Sequence, residues 1–187
     1  MTISSSRSSR RLLIAPFLLS TLLIVGCGRS SDSDAPAGPA LKVDACQLFT
    51  DKDAQAIAGD TLAGMSSTLD EAQGRNPLEC IYNSGTLDQP RILSLLIRPH
   101  RGTAKDFLES SRSSLSSMSG GKVQDVPGLG DSALWVGGRL QQLHVATGNL
   151  QLIITVHSLD GTDQLPKARQ IATLALERLK SAPKPTR

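Results

Sequence analysis

An α+β fold, with one antiparallel sheet and helices packed on it in a single domain, is what the order of elements along this chain predicts. Three observations carry it. Apolar residues recur at helical spacing after residues 50, 103 and 163, and β-like segments fill the two intervals between them. The second interval holds a hairpin signal, QLHVA and LQLIITV on either side of Gly148-Asn149. The segment RILSLLIR, 91 to 98, is apolar at both parities, which suits a strand with both faces covered.

The elements follow in order. Thr50-Asp51-Lys52-Asp53 has the spacing of a capping box, in which hydroxyl and acid satisfy each other's backbone N–H groups. A short helix with Ala54, Ile57 and Ala58 should follow and stop at Gly59. Residues 61–69 and 78–83 read as strands, separated by a polar loop containing Gly74 and Pro77. In the third strand, Leu93, Leu95 and Ile97 share one face. Ile92 and Leu96 share the other, with Ser94 between them, so this strand belongs near the sheet centre until Pro99 ends it.

Thr103 and Asp106 repeat the cap spacing and open a helix whose apolar stripe is Phe107, Leu108, Leu115 and Met118. Serines crowd the interval from 110 to 119, so the back of this helix should face water. Residues 133–137 form a short strand, and the hairpin comes next. The last helix runs from about Asp163 to Lys180. It buries Leu165, Ala168, Ala172, Ala175, Leu176 and Leu179, with Pro166 tolerated in the first turn.

Ahead of the domain lies a different kind of segment. Arg7, Arg10 and Arg11 precede an apolar run from Leu12 to Val25, and no acid occurs before Cys27. The run is shorter than the roughly 20 residues a spanning helix needs. A basic start, a short apolar stretch and a small residue at the border make a secretory signal over residues 1–26.

The border itself, Ile24-Val25-Gly26-Cys27, resembles the lipobox of bacterial lipoproteins. Ile24 stands where that family most often has Leu. The resemblance implies that the Cys27 thiol receives a diacylglyceryl group, that the signal is cut before Cys27, and that the new amine is acylated. Two or more acyl chains hold a protein stably on a membrane, while one holds it only marginally. Cleavage at the next bond or beyond, with Cys27 left free or removed, is the plainer alternative. Gly28 in place of the Asp that marks inner-membrane retention favours, in a diderm host, the outer membrane facing the periplasm.

Cleavage also removes the net charge. The full chain has 20 Lys+Arg against 17 Asp+Glu, and losing Arg7, Arg10 and Arg11 brings the basic count to 17 as well. Nucleic-acid binding wants a basic excess, and a chain with none should have no nucleic-acid partner. Residues 28–40, rich in Ser, Asp, Ala, Pro and Gly, read as a flexible tether. Residues 182–187 read as a disordered tail. That leaves one domain over 41–181. With Cys27 acylated, Cys46 and Cys80 remain, and an even pair in an oxidising compartment most simply forms a disulfide.

No constellation in the chain recommends catalysis, a cofactor or a metal. His100 follows Pro99 in a loop. His144 and His157 flank the hairpin, and alternation with Leu143, Val145, Ile154 and Val156 puts both on the outer face, as surface strand histidines. A two-residue turn sets His144 opposite Ile153 and keeps the two rings roughly 13 Å apart, too far for one zinc ion. Ser119-Gly120-Gly121-Lys122 matches the Ser-x-x-Lys nucleophile motif of penicillin-binding enzymes. It closes a helix instead of opening one, however, and the companion motifs are missing. The same stretch echoes a phosphate loop, but Ser116 stands at the required earlier glycine and Val123 follows the lysine.

The stretch VPGLGDSALW, 126 to 135, is the candidate binding loop: Pro127, Gly128, Leu129, Gly130 and Asp131, with Trp135 just beyond. Loops carry function, and the only tryptophan of the chain is a candidate anchor. Read structurally, the same residues are a tight entry into a strand with Trp135 as core or rim. The set Cys46-Gln-Leu, Cys80-x-Tyr82, VPGLGDSA and a terminal Ala/Leu helix is similar to a loose group of uncharacterised secreted bacterial lipoproteins, some of them small α+β domains of the PsbP/Mog1 type. That resemblance implies the fold and carries over no catalytic residue. The functional expectation is a lipid-anchored, non-catalytic envelope lipoprotein that binds a protein partner or small ligand. A hydrolase of envelope material is the alternative.

Overall fold

A computed structural model describes residues 43–59, 62–67, 78–85, 90–159 and 161–181. The signal, Cys27, the tether, the Gly74–Pro77 loop and the tail lie outside the described residues. Asp44 opens the described chain by capping α1 (Ala45–Leu48), its Oδ1 accepting from the backbone N–H groups of Cys46 and Gln47. One turn of helix has no periodicity to read, and sequence reasoning passed over it. In α2 (Asp51–Ala58) the capping box forms in full. Thr50 Oγ1 accepts from the Asp53 N–H, and the Asp53 carboxylate accepts from the Thr50 N–H at 2.9 Å. Gly59, at φ 75°, ends it.

The remaining elements are β1 (Leu62–Ser67), β2 (Glu79–Gly85), β3 (Pro90–Pro99), α3 (Ala104–Ser119), β4 (Val123–Asp125), β5 (Ser132–Val136), β6 (Gln142–Thr147), β7 (Leu150–Ser158) and α4 (Leu165–Ser181). All seven strands join one antiparallel sheet in the order β1-β2-β3-β7-β6-β5-β4. The protein is thus an α+β domain, as its element order predicts. β3 sits inside the sheet, paired along its length with β7. The hairpin turns at Gly148-Asn149, with Thr147 opposite Leu150 and His144 opposite Ile153. β4 is an addition, too short to leave an alternation in the sequence.

One face of the sheet carries the main core. Leu93, Leu95, Ile97, Leu143, Val145, Leu152 and Ile154 pack there against Ala168, Ile171, Ala172 and Ala175 of α4. Ile171, missing from the predicted stripe, is fully buried. Small α4 residues let the helix lie close to the sheet, so the strands supply most of the apolar volume.

The disulfide Cys46–Cys80 ties α1 to β2 with Cα atoms 5.1 Å apart. It closes a loop whose restraint stabilises by roughly 3–4 kcal/mol on a chain-entropy argument. Beside it Tyr82 is fully buried, edge-on to Phe49 with ring centroids 5.1 Å apart, and donates to the Phe49 carbonyl at 2.7 Å. Burial, reinforced by Asp51, Asp53 and Asp44, pushes the Tyr82 hydroxyl up to about 12. Arg178 of α4 reaches back to the Leu48 carbonyl and to both carboxylate oxygens of Asp53. That bidentate contact holds the Asp53 carboxyl well below the usual carboxylate range.

The opposite face is covered by α3, where Ala104 and Leu108 meet Leu134 and Ala146, with Phe107 and Val123 partly buried beside them. Thr103 caps α3 through the Asp106 N–H. The predicted stripe fails at its end. Met118 is 65% exposed, while Ser119 turns inward and is buried. The Ser119 carbonyl packs on Gly138, where a Cβ would lie 2.8 Å from that oxygen, so a bulky side chain has no room at this position.

Candidate binding cavity

The predicted binding loop and Trp135 do not form one surface. Pro127–Asp131 connects β4 to β5 at one end of that hairpin, and Trp135 lies near the other end, roughly 13 Å along the strand. The loop is clasped. The Val126 N–H donates to the Ala133 carbonyl, the Asp131 N–H to the Ala146 carbonyl, and the Gly148 N–H to Asp131 Oδ2 at 2.7 Å. Arg169 of α4 donates to the Pro127 carbonyl. Leu129 is buried in the main core, while Pro127, Gly128, Gly130 and Asp131 are exposed. At Gly130, φ is +57° and a Cβ would sit 2.6 Å from the Ala146 carbonyl oxygen, so only glycine lets the loop close on β6. This loop locks the hairpins to each other and to α4, which accounts for its residues structurally.

Trp135 is 4% exposed and belongs to the main core, so it is no protruding anchor. One edge of it nevertheless reaches a cavity. The cavity, ≈ 520 Å³, lies beyond the β4–β5 end of the sheet. Four segments converge on it: Gly121-Lys122-Val123-Gln124, Trp135 with Gly137-Gly138, Gln141, and Gly161-Thr162-Asp163. That volume falls in the ~300–1,000 Å³ range of small-ligand sites, which concentrate a few convergent polar groups.

Its floor is set by glycine. A Cβ on Gly137 would stand 3.4 Å from the indole Nε1 and 3.5 Å from the Lys122 Cβ, so the missing side chain leaves the indole edge uncovered. Among the described residues no hydrogen bond engages that indole N–H, and no ion pair engages Lys122. Gln141 is the one described non-glycine residue at positive φ, 46°. Its side-chain oxygen is buried without a partner. A residue at positive φ with an unsatisfied acceptor makes this a candidate position. Asp163 uses one carboxylate oxygen to cap α4 at the Leu165 N–H. The cavity wall therefore holds donors in Lys122 and the indole and an acceptor in Asp163.

Sequence reasoning reached only part of this set. Trp135 stands out in the sequence both as a candidate anchor and as core or rim, and the structure places it in the core with one edge open. Ser119-Gly120-Gly121-Lys122 failed as a catalytic motif, yet two of its residues wall the cavity. Gln141 had no signal, because its backbone strain arises from the turn that closes β5 on β6. Gly137-Gly138 was the one available clue, a glycine pair ending a strand.

The histidines divide. His144 is not on the surface. It is 5% exposed on the α3 face, between Leu134 and Ile153 of the flanking strands. The outward parity was right, but α3 covers that parity. Gln151 Nε2 donates to His144 Nδ1 at 3.1 Å, so the ring proton sits on Nε2, buried without a partner. Burial, with Arg98 nearby, pulls its pKa down to about 4. His100 is buried too and stacks on Phe107 with centroids 4.6 Å apart. His157 is half-buried on β7. Among the described residues no three His, Cys, Asp or Glu side chains are grouped to hold a metal ion.

No family model matches the chain, and neither the curated proteins nor the solved structures contain a match.

Proposed function

We propose that this chain is a lipid-anchored lipoprotein of the cell envelope whose α+β domain binds a small ligand in the Trp135 cavity. The observation that carries the binding reading is the uncovered indole N–H on a cavity wall that also holds the strained, unsatisfied Gln141. A buried Trp135 favours a small ligand over a docked protein, since an indole open only at one edge leaves little area for a second chain to bury. The anchoring reading rests on Cys27 behind its apolar run, and the Cys46–Cys80 disulfide is consistent with an oxidising compartment. In a diderm host, Gly28 favours the outer membrane facing the periplasm.

Fractionation of a Cys27→Ala variant tests the anchor. The substituted chain should be soluble or retain its signal, whereas the parent should be processed and need detergent. A Cys27→Ala chain that is still processed and still needs detergent ends the lipoprotein reading.

A further inference from the structure

We infer that the Trp135 cavity recognises a small zwitterion of the amino-acid or short-peptide class, carboxylate at one end and ammonium at the other. This rests on the small-ligand reading above and specifies it. Among the described residues the cavity wall contains one cationic side chain, Lys122, and one anionic side chain, Asp163. The Lys122 Cβ and the indole N–H flank the same notch, the space left by the missing side chain of Gly137, and the lysine stem starts from its rim. A carboxylate seated there accepts a charge-assisted hydrogen bond from the ammonium and a neutral one from the indole. A ligand ammonium has only donors to offer. The carboxylate of Asp163 is the acceptor it meets, beside the Gln141 side chain in the same wall.

Competing ligand classes fit less well. A polyanion would meet one lysine and be repelled by Asp163. A sugar stacks its apolar face on an exposed aromatic ring, and Trp135 presents only an edge. The cavity volume, ≈ 520 Å³, leaves room for more than one amino-acid residue.

Trp135 is the only tryptophan in the chain, so its emission reports this cavity alone. The intact lipidated protein in detergent is titrated with alanyl-alanine, with its N-acetyl derivative, with its C-terminal amide and with glucose. Alanyl-alanine should shift the emission saturably. Each derivative lacking one charge should bind at least tenfold more weakly, and glucose should give no response. Lys122 is exposed and its replacement spares the core, so Lys122→Met should fold as the parent does and lose at least tenfold in affinity for alanyl-alanine. Gly137→Ala, which puts a methyl against the indole nitrogen, should weaken binding as well. No saturable response to alanyl-alanine, equal binding of the acetylated or amidated forms, or an unchanged Lys122→Met variant would each overturn the assignment. The anchor is scored separately. A soluble chain that binds alanyl-alanine defeats the lipoprotein reading and keeps the ligand, and a membrane-bound chain silent to it does the reverse.

Discussion

The two faces of the sheet use alternate residues of the same strands and bury different things. Under α4, α1 and α2 the buried strand residues are almost all aliphatic or aromatic, in one continuous cluster. Under α3 the apolar cluster is small, Ala104, Leu108, Leu134 and Ala146, and beside it lie buried His144, Gln151, Ser94 and His100. The first face draws its stability from area and close packing. The second depends on hydrogen bonds and on a histidine staying neutral. A polar face under a single helix should be weaker and more sensitive to pH than an apolar face under three.

The largest effect should come from breaking the apolar face. Trp135→Ala should cost about 3–5 kcal/mol in urea unfolding, against about 2 kcal/mol for Leu108→Ala under α3. Equal losses would mean that the α3 cluster carries as much as the main core, and the two faces would not differ in strength.

A slightly smaller effect should appear in acid. His144 is held neutral, with a pKa lowered to about 4. The unfolded chain takes up its proton near pH ~6.5, where a free histidine titrates. The folded state therefore keeps the full contribution above ~6.5 and loses it as pH falls through about 4, a decline of about 3 kcal/mol. Asp53 contributes over a lower window. Its depressed carboxyl supports the fold above ~3.9, the unfolded value, and gives way only below that. Stability lost between pH ~6.5 and ~4 thus belongs to the α3 face. His144→Leu should flatten that limb of the stability–pH curve while leaving the lower limb in place. An unchanged profile would remove His144 as its source.

The smallest effect should come from the clasped loop. Asp131→Ala deletes the acceptor for the exposed Gly148 N–H and should cost about 1 kcal/mol, with ligand response at Trp135 intact. A lost response would reconnect the loop to the cavity and reopen a role for it in binding.

How much of this was legible beforehand depends on the range of the interaction. The Thr50 cap, the Gly59 stop, the turn at Gly148-Asn149, the inner position of β3 and the Cys46–Cys80 pair are consequences of local chemistry or simple pairing. Each was read correctly. Met118 and His144 were misread for a single reason. Periodicity says which residues share a face, and it does not say where a covering helix begins and ends. α3 covers the parity that carries His144 and stops short of Met118.

By itself the sequence determined most of the strand and helix segments, their parities and an α+β class, because each depends on neighbours a few residues apart. The tertiary structure alone decided that Trp135 is buried with one edge open, that the loop at 127–131 is a clasp, and that Lys122, Gln141 and Asp163 line the same cavity. These three come from segments separated by β5 and by the β6–β7 hairpin. Only the closing of the antiparallel sheet, driven by burial of its apolar face, brings such distant residues to one edge.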